Sequence, residues 1–170
     1  NFKLAKFIKD EQDLADTYAV LQEFYPKIKR IFISEAARSG FPSINWINYS
    51  DFCGKCKIVD KNINLASIDR AFIATNVELE KHEENPATAL VRFEFLEIIV
   101  RLAQVKFKDC GICQTYAEST KKILEENFIL FGDYTEEWQG FRDKQLWTLD
   151  VNDIFEANLE LLRKVYSKYM

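Results

Sequence analysis

The sequence predicts an all-α protein, and three observations carry that reading. Apolar residues recur at three- and four-residue steps over long windows, no strand-like run exceeds four residues, and only 5 Gly and 3 Pro interrupt 170 residues. Leu14, Tyr18, Leu21, Tyr25, Ile28, Ile31 and Phe32 mark a first amphipathic helix from Asp13 to about Ser39, with Asp13 as its cap and Pro26 as a kink. Ser39–Ser43 breaks it, a short extended stretch Ile44–Ile47 follows, and a second helix opens near Ser50 and Asp51. Asp60–Asn64 is a polar turn, and Ser67 caps a short helix, Ile68–Ala74. Glu78–Pro86 reads as an exposed acidic loop. The clearest helix follows, with Phe95, Ile98, Ile99, Leu102 and Ala103 on one face and Glu97 paired with Arg101 on the other. A helix from about Asp109 to Asn127, an irregular stretch Gly132–Trp147 and a last helix from Asp150 to Tyr169 complete the chain.

Composition bounds the function. At 48% hydrophobic the chain buries a real core and is not disordered. A net charge of −4 argues against nucleic acid as a partner. No apolar run approaches the ~18 residues of a membrane span, so no membrane partner is expected. The single histidine, His82, sits in a polar run, and no phosphate-cradling glycine loop, nucleophile elbow or zinc-protease helix is present. The expectation is a protein without catalytic residues.

Two segments repeat. Trp46–Phe52 aligns with Ala89–Phe95 at an offset of 43 residues, each an apolar residue, spacers, an acidic residue and a Phe opening a helix. An EF-hand has that arrangement, so residues 1–108 read as a degenerate EF-hand-like pair. With Ile47 at loop position 8, the first loop offers no side-chain oxygen at positions 1, 3 and 5. The second retains Glu83, Asn85 and Glu94, a residual calcium candidate set with its middle missing. Asp13-x-x-Asp16-x-Tyr18 also resembles Asp150-x-x-Asp153-x-Phe155. Residues 109–170 therefore read as a helical extension that begins a second such unit, and the chain as a piece of a longer modular protein.

All four cysteines fall in Cys-Gly-x-Cys pairs, Cys53/Cys56 and Cys110/Cys113. Four thiolates with two-residue spacers suit tetrahedral zinc. The 53 residues between the pairs exceed a compact ribbon, and Cys on a helix is often a small buried hydrophobe. Structural thiols, a zinc site and a redox or disulfide role remain the alternatives. No other cofactor is expected.

The run Phe52-Cys53-Gly54-Lys55-Cys56-Lys57-Ile58-Val59-Asp60-Lys61 resembles the signature of the tubulin polymerization-promoting protein family, the p25-alpha domain. The resemblance continues through Ser67–Phe72, Val91–Phe95 and Leu102–Phe107, covering roughly residues 24–107. The longer acidic loop before Val91 and the presence of Gly40 and Pro42 depart from it. Residues 108–170 have no counterpart in short members and look more like large ciliary proteins of protists. The resemblance implies a microtubule-associated structural or scaffold protein of the cytoplasmic cytoskeleton, placed in the ciliary axoneme. Its partners would be tubulin or other axonemal proteins, with zinc as a ligand. A calcium-responsive regulator and a zinc-stabilised interaction module are the alternatives. Lys55 and Lys57 beside the motif are partner-binding candidates, against the plainer reading of a solvated helix face. Trp138, Phe141 and Arg142, with Trp147, are aromatic and arginine anchors of the kind found at interfaces, against the plainer reading of core plugs.

Overall fold

The computed structural model describes residues 3–77, 88–131 and 140–169, and they are mostly helical. The chain divides into two compact units, Asn1–Asp133 and Tyr134–Met170. The boundary expected at residue 108 lies inside the first unit, because the helix beyond it packs into the same core.

In the first unit a short turn, Leu4–Lys6, precedes α1, Glu11–Ser39, which runs through Pro26. Pro26 lies on the exposed side, where water can take the carbonyl that its missing N–H leaves unpaired. Asp10, not Asp13, caps α1, accepting from the Asp13 amide at 2.7 Å. Strand β1, Ile44–Asn45, leads into α2, Trp46–Lys55, capped by Asn45, which accepts from the Asn48 amide at 3.0 Å. Next is α3, Leu65–Asn76; its cap is Asn64 rather than Ser67, whose amide and hydroxyl both donate to Asn64 at 3.0 Å. Strand β2, Ala89–Leu90, leads into α4, Arg92–Ala103, which continues as a π-helical turn, Gln104–Lys108. Helix α5, Tyr116–Ile123, also continues as a π-helical turn, Leu124–Phe128.

The helix–strand–helix order thus occurs twice, and β1 pairs antiparallel with β2, Ile44 opposite Leu90 and Asn45 opposite Ala89. This pairing corrects the repeat. The equivalent residues are 46 apart, not 43, and α2 and α4 start at matching positions. Tyr49 then matches Phe95, Phe52 matches Ile98, and Cys53 and Cys56 match Ile99 and Leu102, all buried. The acidic-Phe similarity that suggested 43 aligned residues one helical turn apart.

The core sits between α1, α2, α4 and α5. Phe52 lies at its centre, with ring centroids 5.6 Å from Phe95, 5.1 Å from Phe128 and 5.3 Å from Phe131. Phe128 and Phe131 come from beyond residue 108, and with Ile123 and Leu124 they are almost fully buried. Asp13 joins the ends: its carboxylate accepts from the Tyr116 and Ala117 amides, each at 2.9 Å, capping α5 from more than 100 residues away.

The second unit comprises a π-helical turn, Arg142–Leu146, then α6, Leu149–Ala157, and α7, Leu159–Tyr169. The helix expected from Asp150 to Tyr169 is therefore interrupted at Asn158, whose side-chain amide donates to the Ile154 carbonyl at 2.8 Å. That bond competes with the helical ladder, which is why Asn favours helix ends. None of these three elements buries a residue.

Candidate interaction site at the end of the first Cys-Gly-x-Cys helix

Helix α2 ends in a tight reversal. The Lys57 amide donates to the Gly54 carbonyl at 3.0 Å and the Ile58 amide to the Cys53 carbonyl at 2.9 Å. That is a Schellman closure, and it puts Lys57 in the left-handed region at φ +50, a position that favours glycine. The motif's glycine, Gly54, sits three residues earlier, inside the helix.

Two side chains from distant elements clamp this reversal. Lys106, buried in the π-helical turn after α4, donates to the Ile58 carbonyl at 2.7 Å, to the Lys57 carbonyl at 3.4 Å and to the Asp60 carboxylate at 2.5 Å. Asn127, buried after α5, donates to the Cys56 and Lys57 carbonyls at 2.9 and 3.0 Å. Together they satisfy carbonyls that a helix end leaves without intrahelical partners. Partial burial pushes the Asp60 carboxyl up, but the Lys106 ammonium and the Asn62 and Ile63 amides outweigh it and hold it below the ordinary carboxylate range. The clamped turn presents Lys57, Val59 and Lys61 to solvent.

Lys55 belongs to a different arrangement. Its ammonium lies 2.7 Å from Asp51, which lies 3.2 Å from Arg38, which in turn lies 2.8 Å from the buried Glu35. The Lys55 hydrogen bond, ahead of Arg38, holds the Asp51 carboxyl below its usual range. Two acids and two bases alternate, so the row is locally neutral, and a partner anion at Lys55 must displace Asp51. Lys57 makes no such pair among the described residues. The structure therefore separates the two expected contacts: Lys55 is internally paired and Lys57 is presented.

Lys106 and Asn127 were missed by sequence reasoning, yet the signal is visible. Each falls within an apolar stripe, Lys106 beside Leu102, Ala103 and Phe107 and Asn127 beside Leu124, Phe128 and Phe131, where spacing demands a hydrophobe. A polar residue at a stripe position must find buried partners.

The cysteines do not meet as one zinc site. Among the described residues, which include all four, no three or more His, Cys, Asp or Glu side chains gather to hold a metal. Cys53 and Cys56 point into the core, fully buried, whereas Cys110 is exposed and Cys113 half-buried beyond α4. Burial pushes the Cys53 thiol up to about 12 and raises that of Cys56 well above its usual range, so both are neutral thiols packed in the core.

The calcium candidates fare differently. Glu83 and Asn85 lie outside the described residues, as does His82. Glu94 is buried, and its carboxylate accepts from the Val91 amide at 3.0 Å at the start of α4. With the corrected offset, Ala37, Ser39, Phe41, Ser43, Asn45 and Asn48 fall where the first loop's ligands are needed, and none is a carboxylate.

Trp138 also lies outside the described residues. Arg142 stacks over Trp147 at 5.8 Å, and Phe141 and Trp147 are 45% and 65% exposed rather than core plugs. Among the described residues no helix is long and apolar enough to cross a membrane. Comparison with family models, curated proteins and solved structures finds no match.

Proposed function

We propose that this chain is a non-catalytic structural or scaffold module, a degenerate EF-hand-like pair that binds microtubules or another axonemal protein. The observation that supports it most is the doubled helix–strand–helix with its strands paired, the frame in which an EF-hand pair holds its loops, combined with a first loop stripped of carboxylates. A frame that keeps its packing and loses its ligands is suited to presenting surfaces. The p25-alpha-like run from Phe52 to Lys61 forms the end of α2 and the clamped turn, and its exposed Lys57 and Lys61 are the groups an acidic partner such as tubulin would meet. The ciliary placement rests on that resemblance.

Co-sedimentation of the full chain with assembled microtubules across a salt series tests the reading. Pelleting that weakens with salt and is lost in Lys55→Glu/Lys57→Glu is the expected outcome, with an unchanged thermal transition showing that the variant folds. Because Lys55 already pairs with Asp51, Lys57→Glu alone is expected to account for most of the loss. Absence of pelleting at low salt overturns microtubule binding by this chain. Calorimetric titration with calcium addresses the regulator alternative: heat at millimolar calcium would favour it over a purely structural module.

A further inference from the structure

The two Cys-Gly-x-Cys motifs occupy different frames of the same helix ending. In the first, both cysteines precede the left-handed residue and face the core. In the second, Gly111 is the left-handed residue, at φ +71, and the cysteines flank it. The Gly111 amide donates to Lys108, and the Ile112 and Cys113 amides both donate to Phe107, at 2.9 to 3.1 Å. The Cys110 thiol donates to the Val105 carbonyl at 3.5 Å, a weak bond that is readily surrendered. Both cysteines are thereby tied to the same last turn of one helix, on either side of a chain reversal. Cys110 is solvent-exposed and Cys113 half-buried, so an outside thiol or disulfide can reach the first of the two. Lys122, on α5, is ion-paired with Glu126 at 2.5 Å, and its ammonium sits 5.4 Å from the Phe107 ring. An accessible thiol three residues from a second thiol, across a chain reversal, is the environment of an exchange-active pair.

We propose that Cys110 and Cys113 are a thiol modification site that closes reversibly into a disulfide by exchange with a low-molecular-weight disulfide such as oxidised glutathione. The Cys110 thiolate attacks one sulfur of the glutathione disulfide. That bond breaks, and one glutathione leaves as a thiolate that takes a proton from water. The Cys113 thiolate then attacks the Cys110 sulfur of the mixed disulfide and releases the second glutathione. The protein loses two protons and two electrons, and one oxidised glutathione becomes two reduced ones. Cys53 and Cys56 take no part, because they are buried and held neutral. The closed pair replaces the Cys110–Val105 bond and staples the reversal that leads from α4 into α5.

The test equilibrates the full chain in glutathione buffers of graded redox ratio, quenches with acid, alkylates, and maps the peptides by mass spectrometry. The expected result is a Cys110–Cys113 link that forms and reverses with the ratio, with Cys53 and Cys56 alkylated only after denaturation. Cys113→Ser is expected to trap one glutathione on Cys110. A glutathione adduct that persists on Cys110 in the unsubstituted chain overturns the proposal. So does an unmodified pair at the most oxidising ratio, or a link to Cys53 or Cys56 in the folded chain.

Discussion

Lys57 is strained where glycine would be free. An L-residue in the left-handed region costs roughly 1–2 kcal/mol, and a glycine inside a helix costs about 0.5–1 kcal/mol relative to alanine. Lys57→Gly is therefore expected to stabilise the chain by about 1 kcal/mol. Gly54→Ala, at a helical position where an added Cβ meets nothing within 4 Å, is expected to add a little less. Urea midpoints of the two variants and their combination check this, and additivity is not assumed for positions joined by a hydrogen bond. Asn127→Leu tests the clamp from the other side. It suits the apolar stripe in polarity but leaves the Cys56 carbonyl unpaired, and a loss of about 2 kcal/mol is expected. If Asn127→Leu proves neutral, the clamp contributes nothing to holding the turn.

At the scale of elements, the buried thiols of α2 and its C-cap carry a pH dependence of their own. Cys53 and Cys56 are thiols where α4 has Ile99 and Leu102. In the unfolded chain a thiol ionises near pH 9, whereas in the fold burial keeps Cys53 protonated up to about 12. Between those values the unfolded state binds fewer protons than the native one, so stability falls as pH rises. Each such thiol contributes about 1.4 kcal/mol per pH unit to the fall. Tyr49, raised well above its usual value by burial and by Cys53, adds to it from about pH 10. Urea midpoints from pH 8 to 11 should decline, and Cys53→Val should make the decline shallower. At the acid end the sign reverses. Asp51 and Asp60, both held below the ordinary carboxylate range, contribute stability above about pH 4 that is lost as pH falls further.

For the molecule as a whole, the decisive packing is α5 against the doubled helix–strand–helix. In the resemblance to short family members the domain ends near residue 107, yet Ile123, Leu124, Phe128 and Phe131 fill the space over Phe52 and Phe95. Burying four such side chains is worth roughly 1.5–3 kcal/mol each, comparable with the whole stability of a small domain. A chain cut after Lys108 is expected to lose its cooperative thermal transition and bind a hydrophobic dye. A chain cut after Asp133 is expected to retain the transition of the first unit. Loss of cooperativity in both would deny the first unit independent folding.

The sequence by itself determined the all-α class, the places where most helices run, and the lack of loop ligands in the first half, because periodicity and residue chemistry are local. It placed α1 and α4 well but opened α2 and α3 a few residues late and α5 about two turns early, because Asn45, Asn64 and Thr115 are caps that compete with other Ser and Asp residues nearby. Only the tertiary structure decided the rest. Asp13 looked like the cap of its own helix; instead its carboxylate accepts from the first two amides of α5, alongside that helix's own cap Thr115. The register of the repeat was set by two strands of two residues each, too short to leave a pattern. The sequence left a shared zinc site and structural thiols as alternatives for the four cysteines, and among the described residues they do not gather, since a spacing repeated along the chain says nothing of whether its copies face the same side. The clamp on Lys57 joins residues about 50 and 70 positions apart, and such pairings are fixed by which carbonyls the fold leaves unpaired.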